Sequence, residues 1–331
     1  MIASAAETLL RVRGLKVALP TSDGLVAVVD GIDLDVMAGQ VSGIAGESGS
    51  GKTISMMAIL GLLPVGSVAG GEASFRGYDL LNNTDRELAK RRGKDIGLVM
   101  QDPHSSLHPM LSVGGQLTDH IRHHLRVGRR EARERAIELL RQVRIPDPVG
   151  SFDAYPHQFS GGMCQRIAIA IALACGPSLL IADEPTTGLD VTVQAGILHL
   201  LHDLGELHQL AIILITHDLG VMSALADNLS IMYAGRVVEA GSTSAVLAAP
   251  RHPYTAALLA ALPHPDRPET PLSPIRGTLG PPNLWPSGCA FHPRCLYAQP
   301  RCSEILPELV EVDGGRRHAC LVDPFRHSSD S

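Results

Sequence analysis

The run Gly46-Glu47-Ser48-Gly49-Ser50-Gly51-Lys52-Thr53 has the spacing G-x-x-x-x-G-K-[ST]. Glycines so placed let backbone N–H groups turn inward around an anion. Lys52 is then placed for the terminal phosphates of a nucleotide and the Thr53 hydroxyl for Mg²⁺. A second chemical feature is the run Leu179-Leu180-Ile181-Ala182-Asp183-Glu184, an apolar strand ending in two carboxylates. At the carboxyl end of a parallel strand such residues face a ligand crevice. Asp183 is expected to hold the metal ion and Glu184 to polarise an attacking water.

These residues need a scaffold, and the hydrophobic pattern supplies one. Residues 8–40 alternate apolar and polar positions, which predicts antiparallel strands. Val41–Ala45 is a short buried-strand candidate entering the glycine-rich turn, and residues 53–63 have helical character. Further on, strand candidates at 97–101, 179–183, 211–216 and 228–234 alternate with helix candidates at 160–174 and 192–208. That alternation predicts an α/β fold with a mainly parallel sheet covered on both faces. Between residues 112 and 144 helix interrupts it, with Ala132, Ala136, Leu139, Leu140 and Val143 forming one apolar stripe.

Three further motifs narrow the class. Ser160-Gly161-Gly162-Met163 lies between Phe159 and Gln165-Arg166, Gln101 stands in Met100-Gln101-Asp102-Pro103, and His217 stands in Thr216-His217-Asp218. Order and spacing together resemble the nucleotide-binding subunit of an ATP-binding cassette (ABC) transporter over roughly residues 8–325. On that resemblance Gln101 is the Q-loop, Ser160 to Met163 the signature motif, Gly188-Leu189-Asp190 the D-loop and His217 the switch histidine. The implied cofactors are ATP and Mg²⁺, with Gly46, Ser48, Gly49, Ser50, Gly51, Lys52, Thr53, Gln101 and Asp183 on one face of the nucleotide. Ser160, Gly161, Gly162 and Asp190 would meet the ATP of a partner subunit, so one copy alone holds no complete site. Two features depart from the general pattern: Met163 replaces Gln, as in the peptide-importer branch, and no Phe, Tyr or Trp precedes Phe75 to stack on adenine.

The branch is carried by Arg251-His252-Pro253-Tyr254-Thr255, Leu262-Pro263 and Gly288-Cys289-Ala290-Phe291-His292-Pro293-Arg294-Cys295, which resemble dipeptide, oligopeptide and nickel importer ATPases. The resemblance implies an ATP-binding domain over residues 1–262, with a helical insertion at 104–175, and a four-cysteine extension over 263–331. It further implies two membrane-spanning permease subunits, touched through residues 104–111, and a second homologous ATPase subunit or a second copy. An extracytoplasmic substrate-binding protein would act indirectly, and the chain would sit at the cytoplasmic face of the membrane.

Cys289, Cys295, Cys302 and Cys320 are spaced C-x5-C-x6-C-x17-C in a stretch where 12 of the 23 prolines fall between Pro263 and Pro324. Such a segment cannot offset its ordering entropy by burial alone, so a staple is expected. Four thiolates can hold an iron–sulfur cluster or zinc, and a disulfide is disfavoured in a reducing compartment. Zinc sites usually show tight Cys pairs, absent here, so a [4Fe–4S] cluster is the leading expectation. Changes at these cysteines are expected to loosen the tail and leave Lys52 and Glu184 chemistry intact. Cys164 and Cys175 read as ordinary small residues of a helix.

Composition excludes several classes. The charges, 28 basic against 34 acidic, give −6, which argues against a nucleic-acid coat. Mean hydropathy is +0.12, yet the longest apolar run, residues 167–175, has nine residues where a spanning helix needs about 20. The N-terminal stretch lacks the pattern of a signal peptide, and a soluble chain is expected. ABC ATPases of DNA repair insert a long coiled coil between Q-loop and signature, but only 58 residues separate Gln101 and Ser160. Those of translation carry two cassettes, and one is present here. A metal-sensing protein with little hydrolysis would not need Glu184 and His217.

Overall fold

Apolar runs without alternation become strands buried on both faces. The computed structural model describes residues 7–262 and 274–325, and the chain divides into two compact units. The first takes residues up to Leu10, Asp35–Val41 and Ser74–Ile215; the second takes Arg11–Leu34, Ser42–Ala73 and the chain from Thr216 onward.

In the first unit Ile96–Val99, Leu179–Asp183 and Ala211–Ile215 run parallel, side by side in that order. Every residue of the latter two strands is buried, which is why neither shows a polar period. Two helices begin at polar caps. Ser160 Oγ accepts from the Met163 N–H at 3.4 Å to start Gly161–Leu173, and Asp190 Oδ1 accepts from the Val193 N–H at 3.0 Å to start Val191–His208. Helices stand at Pro103–Ser106, Val113–Leu125, Arg129–Gln142 and Pro148–Phe152 between the strands Ile96–Val99 and Leu179–Asp183. The apolar stripe buries Ala132, Ala136, Leu140 and Val143, while Leu139 lies half-buried at the edge.

The long strands Thr8–Thr21 and Gly24–Met37, most of whose residues belong to the second unit, are neighbours, with Val68–Phe75 on the other side of the first. The strand Val41–Ala45 pairs in parallel with Asn228–Tyr233, Ala45 lying beside Ile231. Beyond that pair the expected parallel pattern gives way. Asn228–Tyr233 turns back antiparallel onto Arg236–Ser242, with a register shift between Val237 and Glu239. Arg236–Ser242 pairs antiparallel with Arg317–His318, and that strand with Val310–Glu311. The tail is therefore not held by side-chain staples alone, because two short strands join it to the sheet edge. The expectation for residues 263–273 lies outside the described residues.

Candidate functional site

The phosphate loop leaves the strand Val41–Ala45 at Gly46, whose φ of 152° and surroundings exclude any side chain: a Cβ there would lie 2.2 Å from the Met232 carbonyl oxygen. Ser50 and Lys52 are buried while Ser48 and Gly49 face solvent. The Lys52 ammonium folds back over the loop and donates to the Gly46 carbonyl at 2.8 Å and the Glu47 carbonyl at 2.9 Å. The helix Lys52–Ile59 starts at Gly51 with no side-chain cap. A helix start of this kind, with no side chain over it, is where first-turn N–H groups can face an anion. Thr53 is half-buried in that first turn.

His217 belongs to the same unit. It is exposed, between Thr216, whose N–H donates to the Ile44 carbonyl at 3.3 Å, and Asp218, whose Oδ1 accepts from Gly220 and Val221 to cap Leu219–Leu225. The turn carrying His217 is thereby fixed beside the strand that feeds the phosphate loop.

In the first unit Asp183 ends a fully buried strand and is itself buried. Glu184 follows with φ of 45°, the left-handed region that a residue with a side chain enters only when its surroundings require it. Its N–H donates to the Ile215 carbonyl at 2.8 Å, its Oε2 accepts from the Thr187 hydroxyl at 2.8 Å, and the Gln101 amide donates to the same oxygen at 3.4 Å. Gln101 and Glu184 thus meet. Thr187, which orients the carboxylate, was not singled out by its sequence position.

The signature and D-loop residues also come together. A Cβ on Gly162 would lie 2.4 Å from Val193 Cγ1, and one on Gly161 would lie 3.5 Å from Leu189 Cδ2. At Gly162 the absent side chain lets the start of Gly161–Leu173 approach Val193 so closely, whereas the 3.5 Å at Gly161 is ordinary contact. Gln194 Nε2 closes the D-loop turn by donating to the Thr186 and Leu189 carbonyls, both at 3.1 Å.

In the tail, Cys289, Cys295, Cys302 and Cys320 line one cavity together with His252, Phe291 and Leu321. All four are free thiols. Backbone N–H groups of Tyr297, Gln299 and Asp323 donate to the sulfurs of Cys295, Cys302 and Cys320 at 3.4, 3.5 and 3.4 Å. Burial pushes the Cys289 thiol up to about 11 and raises those of Cys295 and Cys320. Among the described residues no group of three or more His, Cys, Asp or Glu is placed to hold a single metal ion.

The tail also reaches the phosphate loop, a contact that no local motif announces. The Arg294 guanidinium donates to both carboxylate oxygens of Glu47, at 2.7 and 2.9 Å, and the Tyr254 hydroxyl accepts from the Glu47 N–H at 2.8 Å. The tail is fastened elsewhere by the buried Glu239. Its carboxylate accepts from the Arg251 and His252 N–H groups at 2.8 and 2.9 Å and from Arg316 at 3.0 Å. Arg294 and Tyr254 were legible only as parts of the quoted motifs, since the contact joins residues 247 positions apart.

A family profile described as ABC transporter matches residues 29–187, and one described as the C-terminal region of oligopeptide/dipeptide transporters matches residues 238–302. The chain is 44% identical over 318 residues to the oligopeptide transport ATP-binding protein OppD of Escherichia coli K12, covering 96% of this chain and 94% of that one. It is 43% identical over 322 residues to the dipeptide transport ATP-binding protein DppD of Bacillus subtilis 168, covering 96% of each. Among solved structures it is similar to the dimeric post-hydrolysis state of the ATP-binding cassette MJ0796 bound to ADP and Pi. That likeness has a TM-score of 0.63 and 27% identity, over 71% of this chain and 98% of that chain. The protein belongs to the ABC transporter ATP-binding proteins, in the group with the oligopeptide/dipeptide transporter C-terminal region.

Proposed function

We propose that this chain is the ATP-hydrolysing subunit of a peptide importer. It would work at the cytoplasmic face of the membrane on two permease subunits, paired with a homologous ATPase subunit or a second copy, with an extracytoplasmic binding protein delivering peptide. Among the described residues no helix is long and apolar enough to cross a membrane, which accords with a peripheral role. The 44% identity to peptide transport ATP-binding proteins over nearly the whole chain supports the cargo class. The ATP-binding domain would cover residues 1–262 and the four-cysteine extension residues 263–331.

The observation that carries the reading is Glu184, a carboxylate at the end of a buried strand oriented by Thr187 and Gln101. So held, it can take a proton from a water attacking the γ-phosphate. The backbone of residues 46–53 would cradle the phosphates, and Lys52 would exchange its carbonyl contacts for phosphate oxygens. Thr53, Gln101 and Asp183 would hold Mg²⁺, which supplies charge neutralisation as the phosphates separate. His217 would contact the γ-phosphate. Ser160, Gly161, Gly162 and Asp190 would complete the partner's site, where a helix start with small residues suits an anion.

The tail cysteines would, on this reading, hold a [4Fe–4S] cluster. What supports the reading is that four free thiols line one cavity and three accept backbone N–H bonds. When bound, the cluster would staple the tail. Its check is iron and acid-labile sulfide content of protein purified without oxygen; zinc or no metal would remove it.

The test of hydrolysis is Glu184→Gln. The amide keeps the shape and its contact with Thr187, so ATP should bind normally while turnover of the assembled transporter falls about 10²-fold or more. Near-normal turnover would remove Glu184 from the mechanism.

A further inference from the structure

Between Cys289 and Cys295 the chain makes a single turn, His292–Arg294, that carries Arg294 out of the cysteine loop. Its side chain is only 8% exposed, and every N–H of the guanidinium has an acceptor. Nη1 donates to Glu47 Oε2 at 2.7 Å and to the Tyr233 hydroxyl at 3.2 Å, and Nη2 to Glu47 Oε1 at 2.9 Å and the Gly277 carbonyl at 3.2 Å. Nε donates to the Arg276 carbonyl at 2.7 Å. A bidentate guanidinium–carboxylate pair with its remaining donors satisfied is a built socket, unlike an exposed ion pair.

Its target is gripped at every polar group. Glu47 gives its N–H to Tyr254, its carbonyl to Lys52 and its carboxylate to Arg294. The rings of Tyr233, Tyr254 and Phe291 pack within 4.6 to 5.3 Å of one another and fix the socket. Glu47 directly follows Gly46, in a loop that turns through three glycines at positive φ, Gly46, Gly49 and Gly51. A loop so rich in glycine loses much conformational entropy when it closes on a ligand, and a clamp that orders it beforehand lowers that cost.

We infer that Arg294 is a positioning residue for the phosphate loop, acting through Glu47, and that it makes ATP affinity depend on the fold of the cysteine loop. The inference rests on the reading of residues 46–53 as the ATP cradle. Pre-ordering favours binding and leaves the chemical step alone, so its loss should raise Kd and KM while kcat at saturation holds.

The experiment measures Mg²⁺-ATP affinity of the full-length chain by titration calorimetry, and KM and kcat of the assembled transporter. Arg294→Ala is expected to raise Kd and KM about tenfold, equivalent to about 1.4 kcal/mol, with kcat changed less than about twofold. Glu47→Gln, which keeps shape and removes charge, should do the same. The double variant should be no worse than the worse single one, because both act through one contact. Arg294→Lys should recover only part, since an ammonium lacks the fork. Cys295→Ser should raise KM in the natural background and leave it unmoved in the Glu47→Gln background, which general loosening of the tail would not do. Unchanged Kd in a folded Arg294→Ala, or additive effects in the double variant, would overturn the inference. If Arg294→Ala does not fold, unchanged Kd in Glu47→Gln overturns it alone. A natural chain that binds no ATP would overturn this and the functional reading together.

Discussion

Thr187 bears directly on Glu184, the proposed base. Its hydroxyl is 2.8 Å from Glu184 Oε2, closer than Gln101 at 3.4 Å. Thr187→Val removes that donor at similar volume, so kcat should fall about tenfold with KM nearly unchanged, the pattern of a lost orienting bond near the attacking water. Equal falls in ATP affinity and kcat would show that Thr187 holds the fold instead. Lys52 sits at the opposite extreme. Lys52→Ala removes both the proposed phosphate contact and the bonds to the Gly46 and Glu47 carbonyls. ATP affinity should therefore drop about 10²-fold or more by calorimetry.

At the scale of elements, caps and close approaches decide where the chemistry sits. Gly162→Ala would push a methyl to 2.4 Å from Val193 Cγ1, so the signature helix must shift or strain. The expected result is a loss of about 1–3 kcal/mol, read as a lowered thermal midpoint, together with impaired pairing of subunits. The helix Pro253–Ala260 depends on its cap in another way, because His252 Nδ1 accepts from the Tyr254 N–H at 3.0 Å in its first turn. Burial first, then His318, holds that imidazole down to about 3. Between that value and the ordinary one near 6.5 the unfolded chain takes up a proton that the folded chain refuses. Stability from this cap is thus complete above about pH 6.5 and is lost as pH falls, by about 2 kcal/mol at pH 5. His252→Asn keeps an acceptor for the helix and should flatten the fall in thermal midpoint between pH 7.5 and 5; an unchanged slope would assign the acid sensitivity elsewhere.

Much of this was legible in the residues. The strand runs 179–183 and 211–216 stood out because burial on both faces removes alternation, and the stripe Ala132 to Val143 because one helix face is covered. The strands Val310–Glu311 and Arg317–His318 were not legible, since two residues carry no period. Arg294 and Glu47 were equally hidden: a contact across 247 positions leaves no local trace. Glu184 is legible as a carboxylate at a strand end, but its left-handed backbone and its tie to Thr187 arise only from the folded turn.

For the whole molecule, the motif residues are divided between two units. Lys52, Thr53 and His217 lie in one; Gln101, Ser160, Asp183 and Glu184 lie in the other. Hydrolysis is proposed as the property of a paired assembly because Ser160, Gly161, Gly162 and Asp190 would complete the partner's site. The measurement that reaches this account most directly is uptake of labelled di- and oligopeptides into proteoliposomes containing this chain, its partner ATPase and both permease subunits, with peptide-loaded binding protein outside and ATP within. The account predicts uptake that requires ATP and falls about 10²-fold when Glu184 is replaced by Gln. Peptide uptake at the natural rate in that variant, or nickel uptake with no peptide uptake, would contradict it.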